Sequence, residues 1–249
     1  MFGGPNRTVL VAGASGVIGR RLCRLLVDDG WNVVGMTRSE EKAQSLAAMG
    51  VQPLVVDVFD AGKLKAAVVE AKPAIVVHML TDLPPALAPA AMAAARVRNA
   101  HIRDIGTRNL IAAAVAAGVQ RMVAQSVCFA YAPGPMPYQE DRALNAGSIA
   151  GSDGVIARGV IALERQVMGA PLTGVVLRFG KFYGPDTGVE APPAGGAVHI
   201  DAAADAARRA VSRGKAGAYN IAEDDGTAST QKAKFDLDWR PGFRMDQSG

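Results

Sequence analysis

The 249-residue sequence predicts an α/β chain built on a doubly wound parallel sheet, and three observations predict it. Short β-branched runs alternate with longer segments whose apolar residues recur at helical spacing. The strand runs are continuously apolar, as expected of strands covered on both faces of a parallel sheet. The first of them, Thr8–Ala12, leads straight into three glycines spaced three apart, where a strand would turn into a helix.

Taken in order, residues 20–29 put Leu22, Leu25 and Leu26 on one helical face, which Gly30 ends. Residues 32–36 read as a strand and 40–49 as a helix closed by Gly50. Two further strands, 52–56 and 74–79, flank a helix over 61–71, and Pro73 marks that helix's exit. Residues 90–117 read as one long Ala-rich helix ended by Gly118, followed by a strand over 121–126. The second half is less regular. A Pro/Gly loop over 132–137 and a small, polar stretch over 144–154 precede a helix over 155–168 and a strand over 173–178. Residues 183–198 read as a surface loop, 201–213 as a helix and 218–221 as a short strand. Right-handed crossovers between such elements produce the doubly wound arrangement. We expect a single domain over 1–249, with a core at about 7–180 and a small, irregular substrate-binding part at about 181–249.

The composition, 49% hydrophobic and 20% charged, is that of a globular chain. A net charge of +4 without a Lys/Arg run argues against a nucleic-acid partner. The first residues lack a charged start followed by an apolar run, and no apolar stretch reaches the ~18 residues a membrane span needs. The expectation is a soluble cytoplasmic protein with no membrane partner; a homodimer stays open. Cys23 and Cys128 lack metal-ligand spacing and read as buried reduced thiols. His78 and His199 read as structural, and no constellation suggests a metal.

The glycine loop carries the chemistry. Gly13 permits a tight turn, Gly16 lets backbone amides approach a pyrophosphate, and Gly19 lets the helix pack on the strand. With Ser15, Val17 and Ile18 they form a cradle at a helix N-terminus, where free amides and a partial positive charge favour phosphate. At the end of the second strand, an NAD-selective site would place a carboxylate on the ribose 2′-hydroxyl. The sequence there is Met36-Thr37-Arg38-Ser39, whose hydroxyls and guanidinium suit a 2′-phosphate. The expected cofactor is NADP(H), with NAD the alternative.

These motifs resemble the short-chain dehydrogenase/reductase superfamily, in particular its NAD(P)-dependent epimerase/dehydratase branch with a Rossmann fold. The resemblance runs through Asp57-Val58, Val76-Val77-His78, Gly106-Thr107-Arg108-Asn109-Leu110, Gln125-Ser126, Leu177-Arg178-Phe179-Gly180 and Tyr183-Gly184-Pro185. It implies that Asp57 and Val58 bracket the adenine and that Met79, Leu80 and Lys181 border the cofactor. It places a catalytic serine at Ser126, and Arg178 and Tyr183 beside the substrate. Members also use a Tyr and a Lys four residues apart on a helix, the lysine lowering the tyrosine pKa for proton exchange. Here Ile156 and Val160 take those positions, and no Tyr or Lys occurs from 142 to 170. Tyr131 is a candidate replacement proton donor and Tyr138 a weaker one; Arg158 could supply a cation but no proton shuttle.

Three functions follow as alternatives. The first is an NADP(H)-dependent oxidoreductase or epimerase-like enzyme acting on a small carbonyl or hydroxyl substrate, with Ser126 and Tyr131 polarising the oxygen and the loop from Gly184 to Val198 shaping the pocket. The second is a non-catalytic cofactor sensor. The third is an isomerase or lyase that keeps the cofactor without net redox chemistry.

Overall fold

The computed structural model describes residues 7–84, 88–145 and 151–245. The expectations over residues 1–6 and 146–150 fall outside these.

Seven parallel strands form the central sheet: β1 (Thr8–Ala12), β2 (Asn32–Thr37), β3 (Gln52–Val55), β4 (Ile75–His78), β5 (Arg121–Val127), β6 (Thr173–Phe179) and β9 (Gly217–Ile221). Their spatial order is β3-β2-β1-β4-β5-β6-β9. The chain therefore starts at the centre, winds to one edge, returns, and winds to the other. The order reverses between β1 and β4, and a crevice opens outside the carboxyl ends of strands at such a point. The last strand, β9, comes from the C-terminal part, which thus completes the main sheet instead of standing apart from it.

Helices cover both faces. On one, α1 (Val17–Asp28), α2 (Glu40–Ala48) and the Ala-rich α7 (Ile200–Ser212) bury Leu22, Leu26, Leu46 and Ala203 against Val9, Val11 and Val175. On the other, α3 (Ala61–Ala71), α5 (Thr107–Ala116) and α6 (Gly151–Gly169) bury Leu64, Val68, Leu110, Leu163 and Val167 against Leu10, Val76 and Met122. Local capping fits the sequence: Ser39 accepts from the Lys42 amide at 3.3 Å and Asp60 from the Lys63 amide at 3.1 Å.

Several boundaries differ from expectation. The first helix starts at Val17, directly on the glycine loop. The long helix expected over 90–117 is α4 (Pro89–His101), a π-helical turn (Ile102–Gly106) and α5. Residues 151–154, expected as an irregular stretch, already belong to α6. Inside the expected loop of 183–198, β8 (Ala197–His199) pairs in parallel with β7 (Lys181–Tyr183). A last short helix, α8 (Gln231–Asp236), lies near Trp239, whose indole N–H donates to the Ala202 carbonyl at 2.8 Å.

Candidate active site

The turn from β1 into α1 is shaped for close backbone approach. Gly13 has φ +90°, and a Cβ there would lie 2.6 Å from the Met79 carbonyl oxygen. A Cβ on Gly19 would lie 2.1 Å from the Gly13 carbonyl oxygen, so the helix could not dock with any larger residue. Gly16 is the N-cap of α1 and brings no side chain to its first-turn amides, which helix geometry leaves without intrahelical partners. Ser15 stands beside Thr37, hydroxyl to hydroxyl at 3.3 Å, linking this loop to the end of β2. Bare amides, a dipole and no Cβ in the way are what a diphosphate requires.

Flanking residues hold the rim. Thr37 is buried and its hydroxyl accepts from the Ser39 amide at 3.3 Å, while Arg38 is 55% exposed and lies 4.0 Å from Asp82. Asp82 is paired more closely, at 2.8 Å, with Arg98. Asp57 accepts from the Phe59 amide at 2.9 Å and fixes the turn after β3; buried Val58 touches the space left open at Gly106. Met79 is held by its amide to the Ala12 carbonyl at 2.8 Å. The Leu80 amide donates to Nδ1 of buried His78 at 3.3 Å, so Nε2 carries the proton and donates to Thr107 at 2.9 Å. Burial, with the Arg103 cation nearby, pushes His78 down to about 4. Both cysteines are buried, and burial pushes their thiols up to about 12.

Beyond β4 the structure brings together residues far apart in sequence. Ser126, Arg178 and Asn220 are register partners on β5, β6 and β9, forming a polar row across three strands. Glu164 rises from α6 to meet it. Arg178 grips Glu164 with Nε at 3.0 Å and a terminal nitrogen at 2.8 Å, and Ser126, 0% exposed, donates to Glu164 at 2.6 Å. Tyr131 receives an Arg178 N–H at 2.8 Å and donates to Asn220 at 2.6 Å. Burial outweighs the adjacent cation and pushes Tyr131 up to about 12. Burial opposes the Arg178 charge, but Glu164 overrides it and holds the guanidinium protonated. The expected site residues Ser126, Tyr131 and Arg178 are thus assembled, with their polar atoms turned toward one another.

Next to this network lies an apolar patch. Val127, Ala130 and Val160 pack together, with Leu144 and Ile156 against them. Ile156 and Val160, the positions the resemblance gives to the Tyr and Lys, therefore face the carboxyl end of β5 as hydrocarbon. Tyr138 packs on Tyr131 and takes its place behind the network. Lys181 is exposed and donates to the Ala194 carbonyl at 2.9 Å. Tyr183 is buried, donates to Glu223 and accepts from Arg244 at 3.2 Å; burial and Glu223 raise its pKa. His199 caps α7, accepting from the Asp201 amide at 3.2 Å, and burial and Arg244 lower its pKa. The following turn is anchored back to α1 by Arg21, which reaches Asp186 and Asp201.

Glu164, Asn220 and Arg103 were not picked out by sequence reasoning. The trace existed for the first: a lone carboxylate on an otherwise apolar helix face, Ala157, Val160, Leu163 and Val167, needs a buried cation, and Arg178 interrupts an equally apolar strand.

The order of strands and the glycine cradle define a dinucleotide-binding protein. Residues 13–219 match the NAD(P)H-binding family, and the chain belongs to it. It is 36% identical, over 90% of its length and 78% of the relative's, to a 3-diazoavenalumate denitrifying reductase from a Streptomyces species. It is 34% identical to a 4-hydroxy-2-methyl-3-oxo-4-farnesyl-3,4-dihydroquinoline-1-oxide ketoreductase of Stigmatella aurantiaca, over 45% of this chain and 31% of that protein. Its fold is shared with a UDP-glucose 4-epimerase of Thermotoga maritima, solved with UDP-glucose, at a TM-score of 0.74 and 17% identity over 95% of this chain and 94% of the other. The epimerase of Thermus thermophilus, solved with NAD, gives 0.73 and 19% over 96% and 95%. Among the described residues no helix is long and apolar enough to cross a membrane, and no group of three His, Cys, Asp or Glu could hold a metal.

Proposed function

We propose that this protein is an NADP(H)-dependent reductase that delivers hydride to a small, electron-poor substrate without a proton donor from its own side chains. The apolar patch of Val127, Ala130, Ile156 and Val160 carries this reading. In a dinucleotide fold the adenosine half lies over β2 and β3, and the reacting half over β4, β5 and β6. That end of the crevice is floored by hydrocarbon. Among the described residues the hydroxyls of Ser126 and Tyr131, at this end of the sheet, spend their protons on Glu164 and Asn220. A ketone gains much from a positioned acid, typically about a hundredfold or more, and among the described residues this floor offers none.

Gly13 to Gly19 would hold the diphosphate, Thr37 and Arg38 the adenosine 2′-phosphate, and Met79 and Leu80 the wall beside the ribose. When bound, the reduced nicotinamide supplies hydride, and at the ring carbon of an aryldiazonium cation that hydride would replace dinitrogen, so a carbon–nitrogen bond breaks, a carbon–hydrogen bond forms and no proton is taken up. The kinship with a denitrifying reductase favours this acceptor class. Ser126, Tyr131 and Arg178 then act as positioning residues that stiffen the end of β5.

The test is turnover by purified protein with NADPH, an arenediazonium salt and a panel of aldehydes and ketones, each against a protein-free control. We expect the diazonium to be reduced, with deuterium from 4-deuterated NADPH on the ring carbon, and the carbonyls to lag by at least about a hundredfold. Carbonyls reduced equally fast would overturn the missing-acid argument. Tight cofactor binding with no turnover of any acceptor would favour the sensor.

A further inference from the structure

Arg103 stands apart from the other buried cations. It lies on the π-helical turn between α4 and α5, half-buried, with its stem beside Gly159 of α6, where a Cβ would come within 3.5 Å of its Cδ. His78 and Glu164 lie within electrostatic range, and burial lowers its pKa to about 10. Yet among the described residues its guanidinium makes no hydrogen bond and no close ion pair. Glu164 acts on it only at a distance, its oxygens being bonded to Ser126 and Arg178.

It stands toward the carboxyl edge of the sheet, outside which the crevice opens. The chain descends from the carboxyl edge of the sheet through α4 into α5, and Thr107 stands level with His78 at the end of β4. Arg103, one turn earlier, is therefore nearer that edge, between β4 and α6. π-Turns inserted into a helix recur at functional sites because they re-aim a side chain that regular geometry would turn away. A half-buried guanidinium without a protein partner among the described residues is free to take an anion from the crevice.

We infer that Arg103 is a substrate-binding residue that receives a carboxylate of a flat, apolar substrate lying on the Val127–Ile156–Val160 floor. The guanidinium fork matches a carboxylate with two parallel N–H···O bonds. This deepens the reductase reading above and rests on its placement of the reacting end. It also explains how an apolar floor could select a small substrate: hydrocarbon sets its shape, and one ionic contact sets its direction.

The experiment reads binding alone. Cinnamate and cinnamamide are titrated into the full chain saturated with NADP by calorimetry, in the native protein and in Arg103→Gln, Arg103→Lys and Arg103→Met. The expected result is a preference for cinnamate over the amide of at least about tenfold, lost in Arg103→Gln and partly kept in Arg103→Lys. Affinity for NADP and the melting temperature of Arg103→Met stay unchanged. No preference for the carboxylate in the native protein, or a preference that survives Arg103→Gln, overturns the inference. So does a lowered melting temperature in Arg103→Met together with weakened NADP binding, which would mark Arg103 as a structural residue. Failure here with diazonium turnover intact would sink Arg103 only; cinnamate binding without turnover would sink the reductase reading and leave the anion site standing.

Discussion

At Glu164 three donors converge on two carboxylate oxygens, and the carboxylate is nearly inaccessible to water. Burying such a pair is tolerable because Arg178 forms both arms of a fork and Ser126 supplies a further charge-assisted bond. Removing one partner is a different matter, since the remaining charge cannot be rehydrated. Glu164→Gln should therefore lower unfolding stability by about 3–5 kcal/mol, leaving Arg178 without a counter-ion. Ser126→Ala should cost less, about 1.5–3 kcal/mol, because only one bond to a charged group is lost. Urea unfolding of the two variants checks the ranking; an equal loss, or a smaller one in Glu164→Gln, would mean that water reaches the site.

Between elements, the joint of β4 to α5 is held by one neutral histidine. His78 accepts from Leu80 on one ring nitrogen and donates to Thr107 with the other, so protonation would put a second proton where an amide already points. Its folded pKa of about 4 lies below the ordinary 6.5, so the neutral form is the one the fold favours. Its contribution is complete above pH 6.5 and declines as pH falls toward 4, by about 3 kcal/mol in all. Stability measured from pH 7 to 4 should fall less steeply in His78→Gln than in the native protein; parallel curves would refute the assignment. The same joint shows what could be read beforehand. Strands β1 to β6 and the glycine cradle were legible because uninterrupted apolar runs and fixed glycine spacing are local signals. The π-turn was not, because an Ala-rich stretch keeps helical composition whether or not an extra residue is inserted. Three-residue β7 and six-residue α8 are too short for periodicity to register. The row of Ser126, Arg178 and Asn220 depends on the register of three strands, and a single sequence does not carry that register.

For the molecule as a whole, cofactor binding is a stability term, because a ligand held only by the folded chain adds RT ln(1 + [L]/Kd). The cradle at Gly13–Gly19 treats the diphosphates of NAD and NADP alike, so any difference must arise at the end of β2. There the nearest acid to Arg38 is Asp82, 4.0 Å away and already paired with Arg98, which leaves the guanidinium able to turn toward an added phosphate. No carboxylate occupies the stretch Met36-Thr37-Arg38-Ser39 to repel that phosphate. At matched concentrations NADP should therefore raise the melting temperature more than NAD does. A tenfold affinity difference corresponds to about 1.4 kcal/mol, or about 3–6 °C for a chain of this size. Arg38→Ala should bring the NADP shift down to that of NAD while leaving the NAD shift where it was. If the two nucleotides stabilise the native chain equally, or if Arg38→Ala weakens both, the guanidinium is only a solvated surface charge and the choice of NADP has no support.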